Sequence, residues 1–82
     1  MIAMLHGQVA AVDQSGVVLD VSGVGFDVRM PRTDLASLHS GQSATVYISM
    51  AVTQDAITLY GFLSSAEKKM FLQLQKVSGI GP

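Results

Sequence analysis

Residues 17–31 read Val17-Val18-Leu19-Asp20-Val21-Ser22-Gly23-Val24-Gly25-Phe26-Asp27-Val28-Arg29-Met30-Pro31. Val17, Leu19 and Val21 alternate with Asp20 and Ser22, the period of two that marks a half-buried strand. Val24, Phe26, Val28 and Met30 alternate in the same way with Asp27 and Arg29. The inward set passes from odd to even numbers across Ser22-Gly23, as a tight hairpin or a bulge produces. Pro31 closes the second run, because it has no amide to give to a ladder.

The reading extends outward from this pair. Upstream, residues 2–12 are mostly apolar and form a first strand, with Gly7 marking a bend or bulge. Asp13-Gln14-Ser15-Gly16 is a turn cluster. Downstream, a short helix is expected from Thr33 to Leu38, capped by Thr33 or Asp34, with Leu35 and Leu38 on one face and Gly41 as the stop. Ala44, Val46, Ile48 and Met50 alternate with Thr45, Tyr47 and Ser49 in a fourth strand. Thr53-Gln54-Asp55 is a polar break, and Ile57, Leu59 and Gly61 share one face of a fifth. Five short strands with a helix between the third and fourth imply a mainly β protein, a small five-stranded OB-fold-like barrel. Closure removes the open edges that so small a sheet otherwise presents.

The period then changes. Ser64-Ser65-Ala66-Glu67 is a capping box, and Ala66, Met70, Leu74 and Val77 follow at helical spacing with Phe71 beside them. One C-terminal amphipathic helix is therefore expected, stopping at Gly79. It falls outside the barrel unit, so the chain divides into a barrel domain over 1–63 and the start of another domain over 64–82.

Composition narrows the classes of function. The chain has 82 residues, 49% of them hydrophobic and 13% charged, with a formal charge of −1. That length allows one small domain with a thin core, burying roughly 60–65% of the unfolded surface. The apolar share excludes a disordered tail, and the sparse charge points to self-association or a neighbouring domain. With no cysteine there is neither a disulfide framework nor a thiolate zinc site. No apolar run reaches the ~18–20 residues of a membrane span. The start Met1-Ile2-Ala3-Met4-Leu5-His6 lacks the basic region of a signal peptide, and a cytoplasmic location is expected. The near-neutral balance argues against a simple basic grip on nucleic acid.

No catalytic constellation emerges. His6 and His39 have no partners at metal-ligand spacing, and the carboxylates Asp13, Asp20, Asp27, Asp34, Asp55 and Glu67 are scattered through turns and polar faces. Gly23-Val24-Gly25 lies between strands and reads as a turn. Neither cofactor nor metal is implied. The C-terminal Val77-Ser78-Gly79-Ile80-Gly81-Pro82 has two readings. A Gly-hydrophobic-Gly hairpin after a helix aims backbone amides at a phosphate oxygen, and such a site needs little net charge. The plainer alternative is a helix C-cap at Gly79 followed by a loop. The Val52-Thr53-Gln54-Asp55 tip is either a solvated turn or a carboxylate set where phosphates converge, able to repel them over about 8–10 Å.

Taken in order, these residues resemble a known family. The opening Met1-Ile2 with Gly7, Gly23-Val24-Gly25-Phe26 leading to Val28 and Met30-Pro31, Gly41-Gln42, Val52-Thr53-Gln54-Asp55, Leu59-Tyr60-Gly61-Phe62 and Phe71…Lys76-Val77-Ser78-Gly79-Ile80-Gly81-Pro82 resemble the N-terminal part of RuvA, the bacterial Holliday-junction branch-migration family. The resemblance spans the whole chain and implies one that stops inside its first helix-hairpin-helix. It implies a DNA-binding subunit for four-way junctions in recombination and repair, without a catalytic centre of its own. A homotetramer or octamer would form a platform, and the ATPase motor RuvB would be engaged through a further domain. Gln54 and Asp55 would then be the pin at the junction centre, and the backbone of Gly79, Ile80 and Gly81 would bind DNA. The apolar face of Ala66, Met70, Leu74 and Val77 would lose its cover, and would pack on the barrel or on a copy of itself.

Two departures stand out. The family's tip commonly carries Glu-Asp preceded by Arg, whereas Thr53, Gln54 and Asp55 stand here, so only Asp55 keeps a charge. Basic residues common near the start are replaced by Met4 and His6. The rival functions are a purely structural oligomerisation module and an unrelated OB-type domain for oligonucleotides or oligosaccharides. The last usually stacks bases on exposed aromatics, and only Phe26, Tyr47, Tyr60, Phe62 and Phe71 are present.

Overall fold

The computed structural model describes the backbone of residues 1–78 and the side chains of 1–76. The elements run β1 (Met4–Val12), β2 (Gly16–Val21), β3 (Val24–Arg29), α1 (Arg32–Leu35), β4 (Ser43–Val52), β5 (Ile57–Phe62) and α2 (Ser65–Ser78). The strands close into a barrel in the order β1-β2-β3-β5-β4. The neighbours are antiparallel except β3 and β5, which are parallel and meet at Val28↔Leu59 and Arg29↔Tyr60. This is the expected five-stranded OB-fold-like barrel with its helix between the third and fourth strands.

The switch of parity at Ser22-Gly23 is a hairpin. Val21 pairs with Val24, and the two loop residues sit at φ 53° and 93°. Positive φ at both positions gives the turn a twist that matches its strands, and glycine takes the second position without steric cost. The irregularity in β1 is a bulge between Val9 and Ala11 rather than at Gly7. Gly7 instead sits where the Asp20 carbonyl leaves no room for a Cβ. Asp13 closes the β1–β2 turn, its carboxylate accepting from the amides of Ser15 at 2.8 Å and Gly16 at 2.9 Å.

The inward residues of both runs meet in the core. Val9, Val17, Leu19, Val28, Val46 and Ile48 are fully buried, and Met30, Leu35, Leu38, Leu59 and Phe62 complete the set. Gly61 belongs to this core for a steric reason. A Cβ there would stand 2.5 Å from Cγ1 of both Val28 and Val46.

The first helix differs from expectation. It starts at Arg32 and ends at Leu35, with Pro31 as its N-cap and no side-chain cap bond. Asp34 caps nothing in α1. It is buried, and its Oδ2 accepts the Leu63 amide at 3.1 Å. Leu35 and Leu38 do face the core together.

The capping box forms at α2. The Glu67 amide donates to the Ser64 hydroxyl at 3.2 Å, and that hydroxyl donates to the Glu67 carboxylate at 3.3 Å. The packing face of α2 is not the apolar stripe that its spacing implies. Phe71 turns to the barrel, its ring 5.0 Å from Phe62 and 5.5 Å from Tyr60. Met70 and Leu74 stay 63% and 62% exposed, and Ala66 is exposed as well. Two aromatic rings on β5 hold the helix by its single phenylalanine, since an aromatic buries more surface than Met70 or Leu74 could at that spot.

Candidate nucleic-acid interface

Register decides which part of the barrel stands free. β1 reaches β4 only at residues 43–47. β3 reaches β5 only at Leu59 and Tyr60. Ala51↔Thr58 and Val52↔Ile57 are therefore cross-strand pairs with no third strand beside them. The β4–β5 hairpin leaves the barrel at this point and carries Thr53-Gln54-Asp55-Ala56 on its end. Gln54 and Asp55 are both exposed there. Val52 and Ile57 continue the inward parity of their strands, yet are 62% and 69% exposed because the barrel has ended beneath them.

The tip is closed by three short contacts. The Thr53 amide donates to the Ala56 carbonyl at 2.8 Å. The Thr53 hydroxyl donates to the same carbonyl at 3.2 Å and accepts from the Ala56 amide at 3.2 Å. In the sequence Thr53 stands out only as part of a polar break and as a departure from the Arg that commonly precedes the acidic tip. The available signal was the absence of glycine in the loop, which removes the usual way of turning so tightly.

Charge is divided along the chain. Residues 1–63 hold Arg29 and Arg32 against Asp13, Asp20, Asp27, Asp34 and Asp55, while 64–82 hold Lys68, Lys69 and Lys76 against Glu67. A barrel of acidic balance is thus followed by a helix of basic balance, with Lys69 and Lys76 exposed on it. The formal balance is −3 over 1–63 and +2 over 64–82. Gly79, Ile80 and Gly81, the residues expected to offer backbone amides to DNA, lie outside the described residues.

The chemistry elsewhere is structural. His6 Nδ1 lies 2.8 Å from the Thr45 hydroxyl on the outer face of β1 and β4. Among the described residues no three His, Asp or Glu side chains gather as a metal site, and no helix is long and apolar enough to cross a membrane. One acid pair escaped the sequence reading. Glu67 stands near Asp34, and its carboxyl is pushed up by burial first, then by the Asp34 charge and side chain. The signal lay in the helix expected from Thr33 to Leu38, where Asp34 stands four residues before the apolar Leu38 and would share its side.

The profile of the RuvA N-terminal domain matches residues 1–61. The chain belongs to the RuvA N-terminal domain family. Relatives named Holliday junction branch migration complex subunit RuvA are 61% identical in Bifidobacterium animalis subsp. lactis, 49% in Nocardioides sp. and 46% in Lactobacillus gasseri, each over all 82 residues. The chain spans 40%, 41% and 42% of those relatives. The β4–β5 hairpin lies within the matched residues, whereas α2 lies beyond them.

Proposed function

We propose that this chain is the barrel and first following helix of a subunit that binds four-way DNA junctions within a branch-migration complex. The observation that carries the reading is the β4–β5 hairpin, which extends past both neighbouring strands in a member of the RuvA N-terminal domain family. Its apex carboxylate, Asp55, is suited to holding phosphate backbones apart where they converge. Gln54 shares the apex and contributes hydrogen bonding without charge.

In this reading 1–63 is one domain and 64–82 opens the next, whose Gly79, Ile80 and Gly81 present amides to phosphate. The opposite charge balance of the two segments and the exposed Met70 and Leu74 support that division. The subunit works in the cytoplasm as a homotetramer, the symmetry that would bring four apices to one crossing. It holds the junction for the RuvB motor, which hydrolyses ATP, and performs no catalysis itself.

Gel-shift competition tests the reading. The full-length protein carrying these residues is expected to prefer a four-way junction to linear duplex of equal length, while the 82-residue chain binds both poorly. Equal affinity of the full-length protein for the two DNAs, or tight salt-independent binding of duplex by the 82-residue chain, contradicts it.

A further inference from the structure

The three tight hairpins of the barrel solve one problem in different ways, the β1–β2 turn through the Asp13 carboxylate, which takes the Gly16 amide at 2.9 Å. A two-residue loop between antiparallel strands normally needs positive φ, because other turns splay the strands against their twist. The β2–β3 loop meets that need with Ser22 and Gly23. The β4–β5 loop does not. Its central residues are Gln54 and Asp55, and the positive-φ positions among the described residues are Ser22, Gly23 and Gly41. With no glycine, this loop is closed through a side chain. The Ala56 amide, which would ordinarily reach a main-chain carbonyl across the turn, donates to the Thr53 hydroxyl at 3.2 Å. The same hydroxyl returns a bond to the Ala56 carbonyl at 3.2 Å, beside the 2.8 Å bond from the Thr53 amide.

We propose that Thr53 is a positioning residue of the hairpin apex, its hydroxyl taking the place of a main-chain acceptor and thereby fixing how Gln54 and Asp55 are presented to DNA. The inference deepens the proposed function and rests on it. Thr53 itself touches no DNA in this account. It acts through the apex. A hairpin end with no third strand beside it has few other restraints, so the hydroxyl, with the main-chain bond from the Thr53 amide, fixes the backbone that carries Gln54 and Asp55. A single carboxylate needs that restraint more than a doubly acidic tip would, because its repulsion depends on where it points.

Two measurements decide the matter, and they fail separately. In the 82-residue chain, Thr53→Val removes the hydroxyl at nearly constant shape. Amide exchange at Ala56 is then expected to accelerate about fivefold, the factor that one ordinary hydrogen bond commands, while amides of Leu19 and Val46 keep their protection. Thr53→Ser should leave the Ala56 rate near that of the parent. An Ala56 rate unchanged in Thr53→Val overturns the proposal at the level of the turn.

The second measurement uses the full-length protein on a four-way junction with a fluorescent base at the crossing, whose brightness reports unstacking. Asp55→Asn and Thr53→Val should each lower the signal severalfold, Thr53→Ser should retain it, and the double variant should lose no more than Asp55→Asn alone. Additive losses, or a Thr53→Val loss with Asp55→Asn silent, overturn the claim that Thr53 acts through Asp55. A full-length protein with no preference for branched DNA overturns the functional reading instead, leaving the exchange result to stand by itself.

Discussion

Single atoms decide more at Gly61 than at any exposed position. The residue lies on β5 between Val28 and Val46, both fully buried. Adding one methyl group there forces two strands apart, because neither valine can rotate away inside a packed barrel. Gly61→Ala is therefore expected to lower stability by about 1–3 kcal/mol, read as a shift of the urea midpoint at unchanged slope. A midpoint equal to that of the parent would show that the barrel has slack on this side. Sequence pattern alone placed Gly61 on the inward face of its strand, but the crowding that excludes a side chain depends on β3 and β4 and was not legible. Leu19 and Val28 were legible, since alternation needs no knowledge of partners. Thr53 was not, because its role depends on an amide three residues away in a loop that lacks glycine.

At the scale of elements, the start of α2 is held by acids. Asp34 takes the Leu63 amide, and Glu67 completes the Ser64 box while standing near Asp34. The Asp34–Leu63 bond thereby ties the barrel helix to the residue two before α2, 29 positions away in sequence. The sign of the pH effect follows from the direction of the shift. Burial and the Asp34 charge make folded Glu67 hold its proton more tightly than the unfolded chain does. Its contribution is full below the ordinary Glu range and is lost as pH rises through the raised value. Stability should thus decline across that window, and Glu67→Gln, which keeps the protonated shape, should flatten the decline. Denaturant titrations at several pH values check this, and an identical decline in Glu67→Gln would refute it. Asp13 titrates with the opposite sign. The Ser15 and Gly16 amides hold its carboxyl below the usual range, so its contribution fades as pH falls. It does not mask the Glu67 window.

The helix also shows where periodicity misleads. Ala66, Met70 and Leu74 formed the obvious apolar stripe, yet Phe71 makes the contact with β5. Hydrophobic spacing identifies a helix with an apolar side, whereas the choice of docking residue depends on Tyr60 and Phe62 waiting on the strand. Met70 and Leu74 stay largely exposed.

For the whole molecule, the fold was the most readable property. A mostly apolar first run, four alternating runs, a Pro stop and a change of period lead to a closed barrel with one helix between its third and fourth strands and one after it. The proposed site was readable in part. The polar break at Thr53-Gln54-Asp55 was visible, but its projection past the neighbouring strands follows from register, and register needs the partners. Function at this scale rests on geometry. Under the proposed function, an acidic barrel with a free-standing apex followed by a basic helix would sort contact with DNA in space, with repulsion at the crossing and attraction along the arms.

That sorting can be measured directly, helped by a segment with no cysteine. Gln54→Cys, made in a full-length protein with no other cysteine, places a photo-activated cross-linker beside Asp55 without removing its charge. The account predicts adducts confined to the few nucleotides around the crossing of a four-way junction, and almost none on linear duplex. Adducts spread along the arms, or equal yields on both DNAs, would contradict it.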